Sequence, residues 1–93
     1  MNIAVMTFRL QASWVHSLKE KRMVVQSLIT RIRSRFHVSV METGEQDLHQ
    51  LIELGIAFIV PHNSLADRQM DLLSRFVEEN TDAQILEEER EIR

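Results

Sequence analysis

Glu42, Glu45, Asp47 and His49 fall within eight residues of one another in the stretch METGEQDLH. Three carboxylates and an imidazole at that density could hold a hard divalent cation. Their spacing matches no ligand pattern, however, and glycine and aspartate are common in turns on conformational grounds alone. No metal is expected here, and Gly44 reads as a position that needs a positive φ. The four histidines, His16, His37, His49 and His62, each stand where an element should begin or end, and none pairs with another at a ligand spacing. The chain has no cysteine, which excludes a thiolate nucleophile, a disulfide framework and every cysteine-ligated metal. It also lacks a G-x-S-x-G elbow, a P-loop and a dinucleotide-binding glycine pattern. No residue stands out as catalytic, and no cofactor is implied.

The other constellation is electrostatic. Segment 17–36 carries Lys19, Lys21, Arg22, Arg31, Arg33 and Arg35 against Glu20 alone, a balance of +5 in a chain whose net charge is −3. On a helical wheel Lys19, Arg22, Gln26, Thr30 and Arg33 form one polar flank, and Arg31 and Arg35 lie on the other. Lys21 falls beside the apolar stripe, where its stem can pack while its ammonium reaches water. Arginines late in a helix suit its negative end, whereas cations in the first turns do not. Two readings follow: a solvated face whose charges pair with the acidic C-terminal run, or a phosphate-binding surface centred on Lys19, Arg22 and Arg33.

The elements that position these groups follow from periodicity. In 2–12, Ala4, Met6, Phe8 and Leu10 share one parity and Ile3, Val5, Thr7 and Arg9 the other, so a strand with one dry face is expected. Ser17 and Glu20 have the capping-box spacing. Leu18, Val25, Leu28, Ile29, Ile32 and Phe36 then recur on one helical face to about Phe36. A second strand is expected over 38–43. A third runs over 50–61, with Ile52, Leu54, Ile56, Phe58 and Val60 in phase and Pro61 as its stop. Asn63 or Ser64 should cap a second helix, with Leu65, Ala66, Gln69, Leu72, Leu73, Phe76 and Val77 inward and Asn80 as its end. A last strand begins near Ala83.

Strand–helix–strand twice, joined by the hairpin TGEQDLH, predicts one α+β domain over residues 1–93. Its expected fold is the ferredoxin-like βαββαβ, with an antiparallel sheet of order 4-1-3-2 and both helices on one face. The predicted open face carries no aromatic residue, which argues against base stacking there. Trp14, in the loop before the first helix, reads either as a partner anchor or as a lid over the edge of the core.

The stretches HSLKEKR, RIRSRFHVSV, ETGEQDL and the closing EREI resemble the YlxP-like family of small bacterial proteins of unassigned function. The resemblance covers almost the whole chain and departs from the family pattern at His37 and His49. It implies a ferredoxin-like fold. It also implies a translation-linked setting, because family members are often encoded beside translation-initiation and ribosome-maturation genes. No catalytic residue carries over.

The leading functional expectation is thus a cytoplasmic accessory protein that contacts ribosomal RNA or a ribosomal particle through the first helix, without catalysis. The N-terminal stretch makes a poor signal peptide, and the longest aliphatic run near the middle of the chain, LGIAFIV over 54–60, is too short to span a bilayer, so no membrane association is expected. A second expectation is homodimer formation. It would use the open sheet face at Ile3, Val5 and Ile59, the edge of the second strand at Val38 and Val40, or both.

Overall fold

Period-two alternation produces the two central strands, and a serine cap starts the first helix. The computed structural model describes residues 1–45 and 48–93. The elements are β1 (Asn2–Gln11), α1 (Leu18–Arg35), β2 (Ser39–Gly44), β3 (Leu51–Val60), α2 (Asn63–Glu79) and β4 (Gln84–Ile92). The four strands form one antiparallel sheet in the order β2-β3-β1-β4, the ferredoxin-like arrangement.

The central pair β1–β3 runs in unbroken register from Asn2 opposite Val60 to Gln11 opposite Leu51. Side chains of directly opposed residues share a face. Ala4, Met6, Phe8 and Leu10 therefore join Ile52, Leu54, Ile56, Phe58 and Val60 beneath the helices, and all are buried. From above come Val25, Leu28, Ile29 and Ile32 of α1 and Ala66, Met70, Leu73 and Val77 of α2. Phe36 and Phe76 close the seam between the helices edge to face, with ring centroids 5.3 Å apart.

Some expectations are corrected. α2 is capped by His62 through its backbone alone, with neither Asn63 nor Ser64 in that position. The Ser64 hydroxyl instead meets His62 Nδ1 at 2.7 Å. Within α2, Met70 is in the core, while Leu65 and Leu72 remain 44% exposed. Ala66, Met70, Leu73 and Val77 mark the centre of the buried stripe, and Leu65 and Leu72 lie on its flank. α1 ends at Arg35 against the last turns of α2, so Phe36 covers Phe76 and nothing from α1 extends over the earlier turns. Positive φ belongs to Glu45 (61°), and Gly44 is extended within β2. At Gly44 a Cβ would come 2.7 Å from Glu53 Oε2, so the missing side chain makes room for a carboxylate.

Candidate nucleic-acid interface

The start of α1 is built by its cap. Ser17 Oγ accepts from the amide of Glu20 at 3.1 Å. The glutamate does not return to Ser17, as a symmetric capping box would have it. Its Oε2 accepts from the amide of His16 at 3.3 Å, one residue earlier. The carboxylate still lies at the positive end of the helix.

Three cations follow within four residues, and their environments differ. Lys21 is 1% exposed. Its Nζ donates to the carbonyls of Glu45 (2.5 Å) and Leu48 (2.6 Å) and is ion-paired with Glu42 Oε2 at 2.9 Å. Two carbonyls and a carboxylate thus surround the ammonium, and the β2–β3 turn is tied to α1. The stem packs as the wheel suggested, but the ammonium does not reach water. Lys19 and Arg22, in contrast, are exposed. Neither makes a hydrogen bond or ion pair among the described residues. One helical turn apart on the same surface, they repel each other.

The remaining cations of α1 serve the fold to different degrees. Arg31 donates to the carbonyl of Asn80 at 3.0 Å, joining α1 to the end of α2. Arg33 donates to the carbonyl of Val40 at 3.0 Å. Ile3 and Arg93 exchange both backbone hydrogen bonds. Alternation from that pair across the ladder turns Ser39 and Met41 toward β3 and leaves the backbone groups of Val40 pointing off the free edge of β2. Arg33 is therefore a guard on that edge, a use that a wheel diagram does not contain. Arg35 is exposed.

The acidic strand does not neutralise α1. In β4, Glu87 pairs with Arg9 (3.8 Å), Glu88 with Arg90 (2.6 Å) and Glu91 with Arg93 (3.1 Å). Arg90 also reaches Asp71 of α2 at 2.7 Å. The hydrogen bonds that Arg90 donates to Asp71 and then to Glu88 raise its pKa, and the Arg93 guanidinium holds the Glu91 carboxyl below its ordinary range. Among the described residues, the one ion pair made by α1 is Lys21–Glu42.

The turn considered for metal is largely engaged elsewhere. Glu42 faces Lys21, and the Glu45 carboxylate takes Arg9 at 3.3 Å. His49 is exposed, as are His16 and His37, while Asp47 lies outside the described residues. Trp14 is 41% exposed and lines a groove of about 430 Å³ between α1 and the α2–β4 turn, with Met23, Glu79 and Asp82 among its neighbours.

The residues expected at an oligomer interface divide. Ile3, Val5 and Ile59 stand on the helix-free face, Ile3 and Ile59 at 42% and 67% exposure. Val40 is 3% exposed and Val38 is packed against the core. On β2 the open-face side chains are those of Ser39, Met41 and Thr43. Parity decides this, because β2 turns its valines toward the helices. No helix among the described residues is long and apolar enough to cross a membrane.

With the fold and this surface in view, the chain belongs to the family described as "Protein of unknown function (DUF503)", which matches residues 3–90. It is similar to the uncharacterized protein YlxP of Bacillus subtilis (strain 168). The two are 34% identical over 62 residues, covering 67% of each chain.

Proposed function

We propose that this protein is a translation-linked accessory factor that contacts ribosomal RNA through the outward flank of α1, with Lys19 and Arg22 as the phosphate ligands and no catalysis of its own. The observation that carries the reading is the contrast within one helix. Lys21 is held by two carbonyls and a carboxylate, whereas Lys19 and Arg22 are exposed without any such partner among the described residues. Cations placed there lose energy to the helix dipole and to each other. A phosphate between them removes both costs. The translation-linked setting that the family resemblance implies gives the direction toward RNA. Arg33, engaged at the sheet edge, is set aside as a primary contact.

Each phosphate contact contributes about 0.7–0.9 to the slope of log affinity against log salt. Two contacts therefore give a weak, salt-sensitive association, suited to a ribosomal surface already shaped to receive the domain. The test is co-sedimentation with ribosomal particles as salt is raised. The wild-type protein should pellet at low salt and be released as salt rises, and Lys19→Glu/Arg22→Glu should stay in the supernatant at all salt concentrations. A wild-type protein that never pellets, or a double variant that pellets equally well, overturns the proposal.

A further inference from the structure

The helix-free face of the sheet has an ordered composition. Reading across β2, β3, β1 and β4, one row is Ser39, Ala57, Val5 and Glu91, and the next is Met41, Gly55, Thr7 and Glu89. Above them Ile59 stands beside Ile3, and below them Glu53 stands beside Arg9 and Glu87. The centre is apolar or small. Charge is confined to the β4 column and to the lower row. An apolar centre bordered by charge on two sides fits the core and rim of a protein interface. Arg9, the cation of this face's lower row, is already held by Glu45 and Glu87, so nothing central attracts phosphate.

We infer that a second copy of this chain covers this face, related by a two-fold axis that runs parallel to the strands between β1 and β3. The charge pattern selects both the occupant and the axis. Rotation about that axis keeps each row at its own height and exchanges left for right. Ile59 then faces the partner's Ile3, and Ala57 faces the partner's Val5. Glu53 comes to face the partner's Arg9, and by symmetry Arg9 faces the partner's Glu53, giving two opposite-charge pairs at one end of the interface. The acidic β4 column lies over the partner's β2, whose open-face side chains Ser39, Met41 and Thr43 are uncharged. The other in-plane axis, perpendicular to the strands, sets Glu89 and Glu91 of β4 against those of the partner and Glu53 against isoleucine, so repulsion and desolvation outweigh the pairing of Arg93 with Glu87 that it offers. Association by strand addition is blocked at both edges. Arg33 holds the Val40 carbonyl on β2, and β4 is dense in charge. An isologous contact of this kind needs one self-complementary surface, and this face provides it.

The absence of native cysteine makes the test clean. Met41→Cys/Glu89→Cys places one thiol on β2 and one on β4. In one chain these sit three strand spacings apart, about 14 Å, but across the inferred interface they face each other. A short bifunctional maleimide should convert the double variant to covalent dimer, and neither single variant should cross-link. The native protein should show twice its single-chain mass in sedimentation at high concentration. Ile59→Asp should reduce that to the single-chain mass while the chain stays folded by circular dichroism, since the side chain is 67% exposed in one copy. A single-chain mass for the native protein at high concentration overturns the inference. So does cross-linking of Glu89→Cys alone, which marks the perpendicular axis, or a dimer that survives Ile59→Asp.

Discussion

Lys21 and the pair Lys19–Arg22 share a helix, a charge and nearly a position, yet they do opposite things. Lys21 faces the sheet side, and its ammonium organises the β2–β3 turn from within. Lys19 and Arg22 face outward and hold nothing among the described residues. The difference lies in whether acceptors are delivered to the charge. Two of the three acceptors of Lys21 are main-chain carbonyls of the turn, held in place because Glu45 adopts a positive φ and the strands bring the turn under α1. A cation with such partners is part of the core. A cation without them is available to an outside ligand.

Truncation should break this comparison most sharply. Lys21→Ala is expected to cost about 3–5 kcal/mol, because it takes the buried ammonium away from Glu42 and strips two carbonyls of their donor. Urea unfolding measures it, and a loss under about 1 kcal/mol would mean that water replaces the ammonium readily. Phe58→Ala calibrates that number. A buried phenylalanine cut to alanine should cost a similar ~3–5 kcal/mol, so comparable losses would place the lysine among the core residues energetically. A value near zero would put Phe58 outside the core. Removing the cap with Ser17→Ala should cost about 1 kcal/mol, since Glu20's amide loses its acceptor. The smallest expected effect is on the outward pair. Lys19→Glu/Arg22→Glu should change stability by less than about 1 kcal/mol, in the stabilising direction, because it exchanges one like-charge contact for another and supplies anions to the helix N-terminus. A melting temperature that rises slightly while ribosome co-sedimentation is lost would sharpen the contrast. A large fall in melting temperature would show that these residues have a structural role after all.

The strands, the helices and their order were legible because each rests on a local period. Phe8 and Phe58 announce the dry face by parity, and Leu28 and Ile32 announce theirs by helical spacing. Legibility failed where a neighbour's length decides exposure. Leu65 and Leu72 belong to the apolar stripe of α2 by type, but α1 stops before it can cover them. It failed again at Val40, whose side chain is buried while its carbonyl points off the sheet edge to Arg33. For the candidate site, the wheel correctly put Lys19 and Arg22 outward. Arg33 is exposed on that flank too, and what a wheel does not show is the Val40 carbonyl that it also reaches.

Side-chain chemistry read along the chain thus determined the βαββαβ order, the faces of β1 and β3, the serine cap of α1 and the concentration of positive charge in that helix. Those properties depend on residues within a few positions of one another, so local sterics and burial settle them. Which cations remain available, which sheet edge is guarded and what the open face presents were decided by tertiary structure. Each of these depends on groups that the fold brings together from different elements, as the Leu48 carbonyl is brought to Lys21 and the Val40 carbonyl to Arg33. A carbonyl is the same group in every residue, so no pattern of side chains records where it will be delivered.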